Sequence, residues 1–246
     1  MKKLLAYPLS LIYVFVFTLT LLVFHPIQWV CYNVFGYAIH GKSVAIMNLC
    51  LMRCSHLLGG TYAFNAVEDV PTDRPLIIVS NHQSMHDISP IIWFMRKHHP
   101  KFVSKKELGW GYPSVSYNLR VGGSALIDRN DKKQSLQEIA KLGKYIEEHH
   151  RSAVIFPEGT RSRNNGRPKP FKPTGMKILM KNAPSALIVP ISINNSWKML
   201  RYGKFPVGIF SHITFDMHSP IAIEGDLDEL IARTEAIVVA GVNSFE

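Results

Sequence analysis

A histidine and an aspartate five residues apart, His82 and Asp87, have the types and spacing best suited to acid–base chemistry. They lie in the polar segment 80–87, between an apolar run and a helical pattern. An aspartate at the head of that helix can accept a hydrogen bond from one imidazole nitrogen and leave the other nitrogen free as a general base. The nucleophile would then be a hydroxyl of the substrate. The segment alone leaves open a second interpretation, in which Asp87 only caps the helix.

A second polar segment, Glu158-Gly159-Thr160-Arg161, follows another apolar run. Glycine permits close approach of the backbone, threonine offers a hydroxyl, and the arginine guanidinium can grip a phosphate with two parallel hydrogen bonds. These residues are candidates for binding a phosphorylated substrate. The alternative is an ordinary turn between a strand and a helix that carries a surface arginine.

Two further cationic positions follow apolar runs of strand type. Arg129 comes directly after residues 124–127, and Lys105 follows the short run at 102–103, with Lys106 beside it. A surface ion pair between Asp128 and Arg129 is the simpler interpretation of the first. In a parallel sheet, however, the carboxyl ends of the strands lie along one edge, where ligands bind. The four segments are therefore expected to converge on one site.

The pattern that must position these residues is of the α/β type. From residue 75 onward, short apolar runs alternate with helical stretches, which predicts crossover connections and a largely parallel sheet flanked by helices. The predicted strands are residues 76–79, 102–103, 124–127, 153–156, 187–191 and 212–215, and the predicted helices are residues 87–98, 131–150, 173–182 and 226–242.

The N-terminal segment differs from the rest of the chain. Residues 4–24 are 21 residues without a charge, close to the roughly 20 that a helix needs to span a bilayer core. A signal peptide would have a shorter apolar region, so an uncleaved anchor is favoured, with Lys2 and Lys3 on the cytoplasmic side. Trp29, Tyr32 and Tyr37 resemble an interfacial aromatic group.

A second apolar stretch, residues 44–58, is too short and polar to span and predicts an interfacial helix packed beside the first. The N-terminus is thus expected to form a membrane-associated helical hairpin that lies in one leaflet or spans once. This divides the chain into N-terminal membrane-anchoring helices, residues 1–58, and an α/β domain, residues 59–246.

The chain of 246 residues has a net charge of +10, and ten cations without any acidic residue lie between Glu158 and Asp216. Such a surface attracts anionic lipid or a phosphorylated substrate, or serves only solubility. Nucleic acid is not expected as a partner, because no nucleic-acid motif accompanies the charge. The three cysteines lack metal-type spacing and fit a reducing compartment. The ten cations are Arg161, Arg163, Arg167, Lys169, Lys172, Lys177, Lys181, Lys198, Arg201 and Lys204.

Taken together, these segments resemble the glycerolipid acyltransferase superfamily, in particular bacterial 1-acyl-sn-glycerol-3-phosphate acyltransferases. The resemblance covers roughly residues 60–220, and its motifs occur in the family's order. They are Asn81-His82 with Asp87, Ile127-Asp128-Arg129, the run Phe-Pro-Glu-Gly-Thr-Arg-Ser at 156–162, and Val189-Pro190-Ile191.

The resemblance implies an enzyme of phospholipid biosynthesis at the inner membrane, with its catalytic domain on the cytoplasmic side. It implies that His82 deprotonates the free sn-2 hydroxyl of lysophosphatidic acid, that Asp87 orients His82, and that the hydroxyl attacks the donor thioester directly to give phosphatidic acid. Acyl-CoA or acyl carrier protein would be the donor, and no other cofactor or metal is implied.

The resemblance also implies that cations and the second polar segment bind the acceptor and its phosphate. The turn amides after His82 are candidates for stabilising the oxyanion. The substrate-binding residues that the resemblance implies are Lys105, Arg129, Glu158, Gly159, Thr160 and Arg161.

Three alternatives are weighed against this assignment. In the first, the acceptor is another lysolipid, which the same base would serve. In the second, the protein is a non-catalytic, membrane-bound binder of anionic lipid. A membrane di-iron enzyme would also combine an apolar N-terminus with histidine pairs, such as His82 with His86. It needs several membrane spans to assemble its ligands, however, and the sequence has one clear span.

Overall fold

The computed structural model describes residues 2–162 and 164–243, which form one mixed sheet of eight strands with helices on both faces. Arg163, one of the ten cations above, lies outside the described residues. The sheet order is β1-β7-β6-β2-β5-β3-β4, and β8 pairs with β6. The strands are β1 (Thr61–Ala66), β2 (Leu76–Ser80), β3 (Pro100–Lys105), β4 (Ala125–Ile127), β5 (Ser152–Ile155), β6 (Leu187–Asn194), β7 (His212–Met217) and β8 (Ile221–Ala222).

The centre of the sheet is parallel, as the sequence predicts. Strand β2 pairs in parallel with β5 and β6, β5 with β3, and β3 with β4. Antiparallel pairing occurs only where β6 meets β7 and β8, among the described residues. The carboxyl ends of β2, β3, β4 and β5 therefore lie along one edge.

Strand β2 shows why a continuous apolar run is needed at the centre. Its side chains alternate between the two faces, and both faces are covered. Leu76 and Ile78 pack in a cluster with residues of the N-terminal helices, while Ile77 and Val79 pack against the helices of the opposite face. A strand buried on both sides has no place for a polar side chain until it ends.

Seven α-helices of the described residues surround the sheet, and the four predicted for the α/β domain are confirmed within a few residues. The predicted helix at 87–98 is shorter than expected, because 3-10 turns flank it at Met85–Asp87 and Arg96–His98. Strands β1 and β8 and helix α4 were not predicted: β8 and α4 are short, and β1 is an edge strand without a buried side chain. The helices are α1 (Lys2–Phe35), α2 (Tyr37–Cys54), α3 (Ile88–Phe94), α4 (Val115–Val121), α5 (Lys132–His149), α6 (Pro173–Asn182) and α7 (Leu227–Ala240).

Helices α1 and α2 form the predicted hairpin. They are joined at Gly36, whose φ of +79° lies in the region that favours glycine. Contacts of Gln28 with Met47 and of Thr20 with Cys54 show that the helices run antiparallel. Helix α2 is longer than the predicted segment 44–58 and is mostly buried, because it packs against α1 and α3.

Helix α1 is long and apolar enough to cross a membrane, and most of it is not buried within the described structure. One face nevertheless follows the α/β domain. The Ser10 hydroxyl accepts a hydrogen bond from the Val207 amide at 2.8 Å, the Ser114 amide donates to His25 Nδ1 at 3.0 Å, and Asn33 donates to the Tyr117 hydroxyl at 2.9 Å. Large apolar side chains of this helix are exposed, including Leu11, Phe15, Leu19, Leu22, Val30 and Val34.

The three residues of the predicted interfacial aromatic group have different surroundings. Trp29 is 55% exposed. Tyr32 instead packs edge-to-face on Tyr117, and the ring of Tyr37 lies under the guanidinium of Arg151. Spacing alone did not reveal that the turn of the hairpin contacts the α/β domain.

Candidate active site

The His82–Asp87 pair forms as its spacing predicts. His82 follows the last residues of β2, and Asp87 ends the 3-10 turn that leads into α3. The distance between His82 Nδ1 and Asp87 Oδ2 is 2.8 Å. The Asp87 side chain is fully buried, whereas the His82 side chain is 17% exposed. A buried carboxylate on Nδ1 places the proton there, so Nε2 is the nitrogen that can act as a base.

The carboxylate of Asp87 is held from several sides. Oδ2 accepts the backbone amides of Gln83 at 2.7 Å and Ser84 at 2.9 Å, while the Ser196 hydroxyl donates to Oδ1. The expectation that the turn amides stabilise the oxyanion is therefore wrong for Gln83 and Ser84, because they already bind Asp87. The same bonds complete a capping box, so the capping role and the pairing with His82 coexist.

Ser196 is a site residue that the sequence analysis missed. It lies in the 3-10 turn after β6, more than 100 positions from Asp87 along the chain, and is fully buried. No local motif marks it, because its role arises from the pairing of β6 beside β2. Its hydroxyl also lies against that of Ser84, so one serine pair supports the carboxylate.

Glu158 binds backbone rather than facing solvent. It is 2% exposed, and Oε1 accepts the His82 amide at 2.7 Å while Oε2 accepts the Lys169 amide at 2.9 Å. Burial raises the pKa of this carboxyl, although the two amides partly oppose the rise. Both oxygens are used inside the protein, so the geometry favours a positioning role for Glu158 over the contact with the acceptor that the sequence predicted.

Two other residues fix the His82 backbone and ring. The side-chain amide of Asn81 donates to the Ile193 carbonyl at 2.9 Å and accepts the Ile193 N–H at 2.7 Å, which braces the turn. Phe156 stacks on the imidazole with ring centroids 4.2 Å apart and an interplanar angle of 16°. The ring of His82 is therefore held both at one nitrogen and on one face.

The other residues of the second polar segment border this site. Thr160 and Arg161 are exposed, and Gly159 has φ +71°, where a side chain would be strained. The ammonium of Lys172 lies beside Gly159. Its Nζ would be 3.4 Å from a Cβ placed at position 159. Arg161 is close enough to influence His86, whose pKa falls to about 4 chiefly through burial, with a smaller lowering from Arg161 against the opposing effect of Asp87.

Lys105 and Arg129 lie at the same edge but farther along it. Lys105 ends β3 and is in register with Ile127 at the end of β4, and Arg129 follows two residues later. Both side chains are exposed. With β5 between β2 and β3, they flank the site on the side of Glu158 rather than touching His82.

His86 does not share a site with His82. Its Nδ1 lies 3.4 Å from the Tyr13 hydroxyl of α1, which is also buried. Within residues 2–162 and 164–243, no group of three or more histidine, cysteine, aspartate or glutamate residues is placed to hold a metal ion. The histidine cluster that the di-iron alternative needs is therefore not assembled in the described part of the chain.

A histidine–aspartate pair at the carboxyl edge of this sheet, bordered by cations, identifies the class of protein. Residues 63–194 match the model of the Acyltransferase family, and these residues include every predicted site position. Since the match covers more than half of the chain, the protein belongs to the Acyltransferase family.

Individual relatives are more specific. The chain is 38% identical over 134 residues to the 1-acyl-sn-glycerol-3-phosphate acyltransferase of Helicobacter pylori, which is 51% of this chain and 54% of that protein. It is 31% identical over 145 residues to the enzyme of the same name from Cocos nucifera, covering 57% of this chain and 46% of that one. The alignments thus span about half the length of these relatives.

One solved structure shares nearly the whole fold. The 1-acyl-sn-glycerophosphate (LPA) acyltransferase, PlsC, from Thermotoga maritima superposes with a TM-score of 0.78, covering 98% of this chain and 96% of that one. The sequence identity is 23%, so this likeness shows the fold. The superposed residues of this chain include its N-terminal helical hairpin.

Proposed function

We propose that the protein transfers a fatty-acyl chain from a thioester to the free sn-2 hydroxyl of lysophosphatidic acid, giving phosphatidic acid for phospholipid biosynthesis. The observation that carries the proposal is the 2.8 Å contact of His82 Nδ1 with the buried Asp87, beside a cationic edge of the sheet. The relatives from Helicobacter pylori and Cocos nucifera, both named 1-acyl-sn-glycerol-3-phosphate acyltransferases, support this acceptor.

In this proposal His82 Nε2 takes the proton of the acceptor hydroxyl as its oxygen attacks the thioester carbonyl. The tetrahedral intermediate collapses with loss of the thiolate, which receives the proton back from the imidazolium. Asp87 stabilises that imidazolium and keeps the ring in the correct tautomer. The acyl group passes directly to the acceptor, so no nucleophilic side chain is required.

The cationic edge supports an acceptor that carries a phosphate. Arg161 and Lys172 come from the loop after β5, and Lys105 and Arg129 from the neighbouring strand ends. In this proposal the exposed Arg161 and Thr160 bind the phosphate, while Gly159 permits close approach of the backbone. The donor is acyl-CoA or acyl carrier protein, both anionic and both compatible with this edge.

We further propose that the hairpin of residues 1–58 anchors the domain of residues 59–246 to the cytoplasmic face of the cell membrane, within one leaflet. The contacts of Ser10 and Asn33 tie α1 to the domain at both ends. At 1.5 Å per residue these positions lie about 35 Å apart, more than the roughly 30 Å of a hydrocarbon core. A helix tied along such a length supports insertion of its exposed face only.

Placing charges on the exposed face of α1 is expected to release the protein from vesicles. The double substitution Leu11→Glu and Phe15→Glu alters side chains that are 64% and 68% exposed, so folding is preserved. Each charge opposes burial of that face in the acyl region, and flotation with anionic vesicles should fall by about tenfold or more. Val67→Glu, at a position 71% exposed outside the hairpin, is the matched control and should float as the wild type does. Equal flotation of both variants would contradict the assigned face.

The direct test of the function measures thiol release from long-chain acyl-CoA and from acyl carrier protein with the detergent-solubilised protein. Release that requires lysophosphatidate and yields phosphatidate is the expected result. Release that occurs only with another lysolipid would retain the mechanism and change the acceptor. Lysolipid binding without transfer from either donor would instead favour the non-catalytic lipid binder.

A further inference from the structure

A small cavity lies at the other edge of the sheet, away from His82. It has a volume of about 40 Å³ and is partly open to solvent. Its walls come from the first half of α2, the end of α3, the start of β3 and the end of α4. Lys101 of β3 and Arg151, which directly precedes β5, lie at the beginnings of their strands, whereas His82 and Glu158 follow strand ends. The polar residues that line this cavity, called the α2 cavity, are His40, Arg96, His99, Lys101, Asn118 and Ser124.

The α2 cavity is lined by cations without acidic partners. Lys101 is only 8% exposed, and its Nζ lies 4.9 Å from the centre of the Tyr37 ring. The guanidinium of Arg151 lies 3.9 Å from the same ring, and Arg96 is at the cavity itself. Among the described residues that line the cavity, none is aspartate or glutamate. A buried ammonium beside a guanidinium is costly unless an anion compensates it.

Two buried polar atoms at this place lack a partner within the described structure. His40 is 1% exposed and lines the cavity, and its Nε2 makes no hydrogen bond. The Tyr37 hydroxyl is likewise buried and unpaired. Both residues belong to the first turn of α2, an 18-residue helix whose N-terminal end has no acidic residue and no side-chain cap. That end of the helix carries partial positive charge.

The titration of these groups reflects the same environment. Burial, and to a smaller extent the charge of Arg151, lowers the pKa of Lys101 to about 7. The pKa of His40 falls to about 4, first through burial and then through Lys101. His40 is therefore neutral near pH 7 and can donate from Nε2, while a bound anion would favour the charged form of Lys101.

We propose that the α2 cavity binds a phosphate group, held by the ammonium of Lys101 and by Nε2–H of His40, with Arg96 at its mouth. The volume of about 40 Å³ is more than the roughly 10–15 Å³ that a cavity needs to hold one water. The open side lets phosphate oxygens enter while any ester group stays outside. Asn118 and Ser124 supply further polar side chains in the wall.

The phosphate has two possible sources, and the surroundings favour a lipid headgroup. The turn of the hairpin beside the cavity exposes Val34 and Phe35 by 64% and 62%, so this end of the molecule reaches the membrane if the anchor acts as proposed. Free phosphate offers the same oxygen atoms, and the experiment separates the two. The binding site itself does not depend on the acyltransfer reaction.

The test follows the melting temperature of the full-length protein in detergent as ligand is added at constant ionic strength. One arm adds inorganic phosphate, and the other adds short-chain phosphatidylglycerol below its micelle concentration. All variants carry Arg161→Met, which weakens phosphate binding at the catalytic edge. Lys101→Met should weaken the midpoint of the ligand response roughly tenfold or more, as expected for the loss of one charge-assisted hydrogen bond. Lys97→Met removes an exposed cation nearby and should leave the midpoint unchanged.

Without ligand, Lys101→Met should melt at the same temperature as the control or higher, because it removes an uncompensated buried charge. If it does not fold, His40→Phe keeps a ring but removes the donor and should weaken the midpoint similarly. A response to phosphatidylglycerol alone identifies a lipid headgroup, and a response to both ligands identifies a general phosphate site. Equal midpoints for the Lys101 and Lys97 variants in both arms would overturn the proposal and leave a hydrated cavity.

Discussion

Replacing His82 with alanine is expected to reduce the turnover number of acyl transfer by about 100- to 10,000-fold, the usual contribution of a general base. The imidazole is the group that accepts the hydroxyl proton, and Asp87 cannot replace it because its side chain is fully buried. The loss should appear in kcat rather than in KM for lysophosphatidate, since the phosphate contacts of the exposed cations remain. Steady-state kinetics in detergent micelles with one donor and varied acceptor measure both constants.

The matched control for this variant is His56→Ala, which removes an exposed histidine of the hairpin. It should retain the wild-type turnover number. Thermal unfolding of the His82 variant should change little, because that side chain is part-exposed and its main packing partner is one ring, Phe156. Full activity in a folded His82→Ala protein would exclude the histidine from the mechanism even though the family assignment would stand.

Replacing Asp87 with asparagine is expected to reduce the turnover number by up to about 10,000-fold, the size known for the equivalent change in a serine protease triad. An amide cannot hold the tautomer of His82 as a carboxylate does. It also places an NH₂ group among the donors that bind Asp87, namely the amides of Gln83 and Ser84 and the hydroxyl of Ser196. The free energy of unfolding should therefore fall by about 1–3 kcal/mol as well.

The double variant tests whether Asp87 and His82 act together or contribute to turnover independently. If Asp87 acts through His82, the double variant should be about as slow as the single His82 variant, because the residues function as one unit. The comparison is made on folded protein, checked by its unfolding transition. Losses that simply multiply would contradict a shared role and indicate that Asp87 affects turnover independently of His82.

Local sequence was sufficient to predict most helices and strands, and to predict the chemistry of short polar segments. The apolar run at residues 76–79 predicted a buried strand, found as Leu76–Ser80, and the amphipathic spacing at residues 131–150 predicted a helix, found as Lys132–His149. The five-residue spacing of His82 and Asp87 predicted their contact, because a single turn determines it. Strand ends with cations predicted the functional edge, since parallel pairing brings those ends together.

Contacts between distant segments were decided only by the tertiary structure. Ser196 reaches Asp87 because β6 pairs with β2, and no pattern near residue 196 indicates this. Glu158 was predicted to face the acceptor, yet its carboxylate bonds the amides of His82 and Lys169, which become neighbours only when β5 lies beside β2.

The cationic α2 cavity likewise depends on packing of the hairpin turn against the starts of β3 and β5. The sequence thus determined the class of fold, the long apolar N-terminal helix and the histidine–aspartate pair, which rest on local periodicity and short-range geometry. The tertiary structure decided which polar groups are buried and what they contact, because burial depends on strand order and helix packing across the whole chain.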